Sequence, residues 1–506
     1  MLSRFGDGRA SWNATNATRR FAAMTAAETP ALWCGRAALL LSVAMTLTAC
    51  ASPDDSRLAR VTAILQQDNW AFALRDPARV AMKLRKMQRS WFEWTRGTLS
   101  VFWADHVAEG AAYPASVLAP AGSAMWILGD PHIENLGTFY QAGGAAWIDW
   151  NDFDAAGFGP AWIDLRRLAL SLWVAAADAN TGRVPEALGR ALCDAVVTGY
   201  IEALARAERG VPQTRVAQGV HPVFDALLKK AAKDGDRRKR LNEVPPLVNG
   251  ERVMATGALS PMSADGVVEN ELQPLAPERA SNLRSTVESW QRALPAARAA
   301  QLGRLRGARA RFGAGVASYA SERWYLWFAG PSDNFDDDVL LEWKEVRDGV
   351  LLALPNRPPN WPWAHNGERV VGLAQKFLAF PTADDFFASV HFGGLPMRSQ
   401  SRTGYQRGLE LAEVAALAQD PGTHGELLQL ATLCGGLLAA AHVRANNASA
   451  IADLALAMRT HEHEFRDETA LFVAQYALRS WTDYVQWRTM PASRILLAGE
   501  EQTVAR

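Results

Sequence analysis

Three short stretches concentrate the residue types that carry out group transfer. They are Gly129-Asp130-Pro131-His132-Ile133-Glu134-Asn135, Asp149-Trp150-Asn151-Asp152-Phe153-Asp154 and Asp164-Leu165-Arg166-Arg167. Phosphoryl transfer needs a carboxylate beside the attacking hydroxyl and hard oxygen ligands that hold Mg²⁺ on the donor phosphates. Asp130 is the candidate for the first role. Asn135 follows on the same loop, far enough round for its amide oxygen to face a metal while Asp130 faces the acceptor. Asp149, at the end of a strand, is the expected second metal ligand, and Asp152 is its rival. The same acids allow another chemistry, in which Asp130, His132, Asp149, Asp152 and Asp154 hold two divalent ions and activate a water. The chain lacks the further Gly-Asp-x-x-Asp and Gly-Asn-His motifs of such phosphoesterases. His132 is therefore expected to hydrogen-bond within its own loop.

These loops need strands and helices to carry them. Ala124 to Leu128 reads as a short buried strand ending at Gly129-Asp130, and Ala145 to Trp150 as a second, the two forming a hairpin with acids at the strand ends. Ahead of them, Arg57 to Val107 shows helical spacing of Val80, Leu84, Met87, Trp91 and Trp94. Behind them, Asp164 to Ala177 and Pro185 to Ala205 read as amphipathic helices. The character changes near Arg311. Gly313 to Ser318 is Gly-rich, Arg323 to Phe328 and Val339 to Lys344 are β-forming runs, and Gly330 to Asp338 is an acidic turn between them. In this second hairpin Lys344 stands near a strand end. An ammonium there can neutralise phosphate oxygens; the plainer reading is a surface lysine. Gly313, Gly315 and Ser318 would lie over the phosphates, where missing Cβ atoms let backbone N–H groups approach oxygen. Arg369 to Phe380, Gly408 to Ala445 and Ile451 to Trp487 return to helical spacing. The expected class is α+β and helix-rich. The imidazoles of His461-Glu462-His463-Glu464 are splayed by their spacing, so a solvated face is expected there, as it is for the charged run Lys229 to Arg240.

Composition narrows the functional classes. Among 506 residues, 53 Lys and Arg balance 53 Asp and Glu, so no chain-wide field favours nucleic acid, and none is expected as a partner. The 49% apolar content is that of a folded protein with sizeable cores. The cysteines, Cys34, Cys50, Cys193 and Cys434, are too far apart for a short-spaced zinc or redox motif. The tryptophans are scattered and read as core. At the amino terminus, the apolar run Ala37 to Thr46, then Leu47-Thr48-Ala49-Cys50 and a polar stretch, looks like a bacterial lipoprotein signal. It is shorter than the roughly 20 apolar residues a membrane span needs. Cleavage before Cys50 and its acylation would anchor the product to a membrane, facing the periplasm if the signal is used and otherwise leaving it cytoplasmic, with Met24 as the expected initiator.

The run Gly129 to Gly137, with Trp150-Asn151-Asp152-Phe153-Asp154 and Asp164-Leu165-Arg166-Arg167-Leu168-Ala169, resembles the bacterial domain-of-unknown-function family 2252. That family is similar in turn to aminoglycoside phosphotransferases and protein kinases. The resemblance runs from about Asp76 to about Asn446 and takes in Phe92 to Gly97, Lys344-Glu345, Arg369, Arg398 and Ala441-His442-Val443-Arg444. It implies a two-lobed kinase-like fold, with Asp130 as catalytic aspartate, Asn135 and Asp149 as metal ligands, Asp164 as the buried aspartate bracing the catalytic loop and Lys344 as the phosphate-binding lysine. It implies Mg²⁺ and ATP as cofactors and an unidentified small-molecule or protein acceptor. Ala317 and Ala320 depart from the Gly that the family tends to have. Because the Gly-rich hairpin follows the catalytic loop, the implied arrangement is circularly permuted. The expected organisation is a signal over 1–50, a helical lobe carrying the catalytic and metal loops over 51–310, a β-containing nucleotide-binding lobe over 311–400, and helices over 401–506. Export conflicts with a need for ATP, so a catalytically silent kinase-like binding lipoprotein and a metal-dependent phosphohydrolase stand as alternatives.

Overall fold

Alternation with period two builds the sheet. In Arg323–Phe328 the residues Trp324, Leu326 and Phe328 are buried on one face, and in Val339–Glu345 the residues Val339, Leu341 and Trp343 join them there. Arg323, Glu342 and Lys344 therefore share the opposite face, since successive side chains of a strand point to opposite sides. The computed structural model describes residues 53–107, 115–122, 125–140, 146–211, 216–233, 237–260, 263–332, 334–347, 361–381 and 384–490. Cys50, Cys34, Met24 and the apolar run before Cys50 lie outside them.

In chain order, helices α1 (Pro53–Arg75), α2 (Pro77–Met87), α3 (Trp91–Gly97) and α4 (Leu99–Val107) come first. Four short strands follow: β1 (Met125–Ile127), β2 (Leu136–Phe139), β3 (Trp147–Trp150) and β4 (Gly157–Gly159). Next come α5 (Ala161–Ala176) and α6 (Glu186–Glu208), then, after helices over Pro222–Lys233 and Arg237–Glu243 and a small hairpin of Leu247–Val248 with Glu251–Arg252, β5 (Gly257–Ala258), β6 (Glu271–Gln273), α7 (Pro277–Ala293), β7 (Leu305–Phe312), β8 (Arg323–Phe328) and β9 (Val339–Glu345). The remainder is α8 (Asn366–Phe377), β10 (Ala388–Phe392), β11 (Leu395–Ser401), α9 (Leu411–Gln419), α10 (His424–Ala445), α11 (Ala448–Thr460) and α12 (Glu462–Arg488). The protein is thus α+β and helix-rich.

The seven-stranded sheet has the order β10-β11-β9-β8-β7-β6-β5, antiparallel throughout. It starts at Gly257, earlier than the compositional change near Arg311, because β5 and β6 are too short to show alternation. Its apolar face packs on Leu283, Val287 and Trp290 of α7. The first expected hairpin is not formed. β1 pairs with β4, and β3 pairs with β2. Gly157-Phe158-Gly159 carries no strand signature, so the true partner of β1 was not visible as a strand.

The helical core gathers around α5, buried on all sides over Ala161–Ala175. The densest helix pair is α6 with α10, and glycines explain how close they come. A Cβ on Gly199 would collide with the backbone oxygen of Thr432, and one on Gly435 with that of Val196. The segment Pro421–Ala445 is, among the described residues, the one helix long and apolar enough to cross a membrane, but 61% of its apolar window is buried against its neighbours. Gly425, on the same helix, has nothing within 4 Å of its Cβ position. Gly199→Ala is expected to lower unfolding free energy by about 1–3 kcal/mol through overpacking. Gly425→Ala should leave it unchanged or raise it by less than about 1 kcal/mol. Urea denaturation of both variants decides this, and equal effects would contradict the close approach.

Candidate functional site

The loop carrying Asp130 leaves β1 through Gly129, whose φ of 78° is open to glycine at no steric cost. Its course is set from behind by Asp164, in the first turn of α5 and fully buried. Asp164 accepts hydrogen bonds from the Leu128 N–H at 2.8 Å and the Gly129 N–H at 3.0 Å. His442 of α10 lies 3.0 Å from the same carboxylate through Nε2. Beside an ionised carboxylate that nitrogen is the donor, which leaves Nδ1 to accept from the Tyr200 hydroxyl of α6 at 2.7 Å. One carboxylate thereby joins the loop to three helices. Further along, the Ile133 N–H donates to Ser171 Oγ at 3.0 Å, and Asn135 Nδ2 donates to the Asp130 carbonyl at 2.9 Å.

Asp130 is held by Arg167, whose Nε donates to Oδ1 at 2.8 Å while its Nη2 donates to the Thr95 carbonyl. Burial raises the Asp130 carboxyl above the usual aspartate range, against the opposing pull of Arg167. The hydrogen bond expected of His132 within its own loop is not formed: Nε2 is 3.9 Å from Asp130 Oδ2, and Nδ1 is buried without a hydrogen-bond partner among the described residues. Burial keeps the imidazole neutral by depressing its pKa well below the ordinary value.

Asp130, His132, Asn135, Asp152, Gly315, Ser318 and Lys344 all line one cleft of about 370 Å³ between the loops of the helical part and the polar face of the sheet. Lys344 is 2% exposed and is not a surface lysine. It forms an ion pair with Asp154 and lies 3.8 Å from Asp152. Burial works to raise the Asp154 carboxyl, but Lys344 and Arg398 hold it below the usual range. Ser318 Oγ accepts from Arg323, which also donates to Glu342. Gly315 has φ 74° and lines the cleft, whereas Gly313, φ 85°, packs against the backbone of Val268 and Glu269 and is absent from the lining.

Asp149 is placed elsewhere. Its carboxylate accepts from Arg444 at 3.0 and 3.2 Å, from the Ala379 N–H at 3.0 Å and from the Trp150 N–H at 3.0 Å, and it is 1% exposed and outside the cleft lining. Along β3 alternate residues face opposite sides, so Asp149 is turned towards α10 and the end of α8, and the loop that follows brings Asp152 to the cleft. The cluster His461 to Glu464 has His463 at 92% side-chain exposure, on a solvated face.

Several contacts of the cleft were not read from the sequence, although Arg369 and Arg398 belong to the family resemblance. Arg398 and Glu342 face Lys344, and Arg369 of α8 ties the second acidic loop to the sheet by donating to the carbonyls of Asp154 and Arg347. The signal for Glu342 was present: a Glu and a Lys two residues apart in one strand must lie on one face. Arg75 of α1 braces the end of the same strand, with Nη2 2.8 Å from both oxygens of Glu345.

Because Asp164 satisfies two buried N–H groups and an imidazole, Asp164→Ala leaves all three without their acceptor. It is expected to cost about 3–5 kcal/mol. Tyr200→Phe removes one hydrogen bond and should cost about 1 kcal/mol. Chemical denaturation of the two variants checks the ratio, and a small loss for Asp164→Ala would show that the loop is held by something else.

No curated protein and no solved structure matches the chain. One family does match, and it covers residues 75–490, from the end of α1 past the last helix and through every loop of the cleft. The chain is therefore a member of the family described as "Uncharacterized protein conserved in bacteria (DUF2252)".

Proposed function

We propose that the protein is a kinase-like phosphotransferase with a circularly permuted arrangement, acting on the hydroxyl of an unidentified small-molecule or protein acceptor. The observation that carries this reading is the convergence of Asp130, Asn135, Asp152 and Lys344 on one cleft, although Lys344 follows Asp130 by nearly half the separation of the described ends of the chain. Asp130, fixed by Arg167, orients the acceptor hydroxyl and takes its proton. Lys344, with Arg323 beside it, offsets the charge on the transferred phosphoryl group.

Mg²⁺ and ATP are the cofactors this reading expects. The donor set suits a hard cation: Asn135 spends its Nδ2 on the Asp130 carbonyl, which leaves Oδ1 as the amide's acceptor, and Asp152 is the most exposed of the carboxylates lining the cleft loops, at 37%. Among the described residues no three His, Cys, Asp or Glu side chains form a ready cage. Mg²⁺ bound by one or two protein ligands and by donor phosphates needs no such cage. When bound, the ion would draw charge from the phosphate oxygens. The hydrolase reading is less well supported, because three of its acids are held by cations: Asp130 by Arg167, Asp149 by Arg444 and Asp154 by Lys344.

Calorimetry of the whole chain with Mg·ATP, followed by a phosphate-transfer assay, tests the proposal. Lys344→Ala should weaken donor binding, and Asp130→Asn should retain binding while transfer falls by about 10²–10⁴-fold. Asp152→Asn should lower Mn²⁺ affinity measured by electron paramagnetic resonance, and Asp149→Asn should not. Donor binding without transfer to any acceptor would favour the silent binding protein. Transfer should rise with pH as Asp130 loses its proton, and because burial raises that carboxyl, the acid limb should lie above the roughly 3.9 of an ordinary aspartate.

The N-terminal run and Cys50 lead us to propose further that the protein is anchored to a membrane by acyl chains. Labelled palmitate should be incorporated by the full chain and not by Cys50→Ala.

A further inference from the structure

On the polar face of the sheet, Arg323 of β8 stands opposite Lys344 of β9, and Lys344 stands opposite Arg398 of β11. Directly opposed residues have Cβ atoms roughly 5 Å apart, and like charges at that separation repel. Three cations in one row therefore need compensation. The adjacent row is Tyr325, Glu342 and Gln400. Glu342 lies 3.0 Å from Arg323, 3.3 Å from Arg311 and 3.7 Å from Arg398. Burial works to raise its carboxyl, yet these guanidinium groups and Arg402 hold it well below the usual range. From across the cleft, Asp154 pairs with Lys344 and lies 3.9 Å from Arg398, and Asp152 lies 3.8 Å from Lys344. With Arg311 and Arg402 included, five cations meet these three carboxylates. Arg402 Nε is buried without a hydrogen-bond acceptor among the described residues. Asp384 also lies close to Arg402, and its carboxylate accepts from the Ser401 N–H and Oγ and from the Phe386 N–H.

Even with Asp384 counted, the cations of this wall outnumber the carboxylates they meet, and Arg323, Lys344, Arg398 and Arg402 line the cleft. A nucleobase is an uncharged aromatic plate, held by burying its faces against apolar or aromatic side chains. The sheet wall presents charge at the positions where such contacts would lie. The aromatic residues of the cleft, Phe139, Tyr140 and Tyr405, the last two with ring centroids 5.5 Å apart, come from the end of β2 and the loop after β11. Guanidinium forks, by contrast, match phosphate oxygens two at a time.

We infer that the donor is a condensed phosphate, such as inorganic triphosphate or a longer chain, recognised through its linked phosphoryl groups and not through a base. This rests on the phosphotransfer reading above and specifies the donor of the same site. In the step, the bond between the terminal phosphorus and its bridging oxygen breaks and a bond from that phosphorus to the acceptor oxygen forms. The hydroxyl proton passes to Asp130, and the shortened phosphate chain leaves with the electron pair of the broken bond. An exported protein would then need no ATP.

Calorimetry on the full chain with inorganic triphosphate, ATP and adenosine, each with Mg²⁺, tests the inference. Triphosphate is expected to bind within about threefold of ATP, and adenosine to give no heat, since the phosphates carry the affinity. Arg398→Gln and Arg402→Gln should each weaken triphosphate by about tenfold or more, and Tyr405→Ala should leave it unchanged. Should both Arg variants fail to fold, wild type still decides: added KCl must weaken triphosphate and ATP in parallel. ATP binding tenfold or more tighter than triphosphate, with the difference lost in Tyr405→Ala, overturns the inference and leaves nucleotide-dependent phosphotransfer standing. Absence of binding by both overturns the two readings together.

Discussion

The carboxylate of Asp164 is the constraint on which the site depends. It is fully buried, and a carboxylate in that position is tolerable only if its lone pairs are taken up. Two backbone N–H groups and His442 take them up, and the two N–H bonds fix the peptide planes on either side of Leu128, so that the chain enters Gly129 in one direction. Asp130 is the next residue. Its direction is thus set by a network that reaches through His442 to Tyr200 and hence to the tightly crossed pair α6 and α10. The close crossing permitted by Gly199 and Gly435 is what brings Tyr200 and His442 within reach of each other.

A second network joins the helical part to the sheet. Lys344, Asp154, Arg398, Glu342 and Arg323 form a continuous set of buried or half-buried charges, and Arg369 adds hydrogen bonds to the carbonyls of the acidic loop. Such pairs contribute little net stability, because desolvation offsets much of the Coulomb attraction, but they demand one geometry. The cleft walls are therefore held in register by charge, whereas the cores on either side are held by apolar burial. This division explains why the cleft-facing part of the sheet can be so polar. Its opposite face, with Trp324, Leu326, Phe328 and Trp343 packed on α7, supplies the burial that keeps the strands together.

The legible parts of the chain were those with a strong local period. β8 and β9 show alternation over six and seven residues, and their boundaries follow the expected ones closely. The helices α5, α6 and α8 repeat apolar residues at helical spacing and were equally visible. β1 and β4 have three residues each, too few to establish a period, and the second is Gly-Phe-Gly, so their pairing was hidden and a hairpin with the wrong partner was expected instead. The Gly-rich segment was legible in type and less so in detail, since Gly315 and Ser318 reach the cleft while Gly313 serves a close backbone approach.

From sequence alone came the α+β class, the acidic loops, the residue types suited to phosphoryl chemistry and the lysine that faces them. These follow from local rules, namely side-chain periodicity and the short spacing of Asp130 and Asn135 on one loop. Tertiary structure alone placed Asp152 at the cleft and Asp149 away from it. Both lie in one short acidic run, and what separates them is Arg444, nearly three hundred residues away, which claims the first and leaves the second at the cleft. The row of Arg323, Lys344 and Arg398 was likewise beyond reach of the sequence. It depends on the register of three strands, and strand register is set by which apolar faces meet in the folded core.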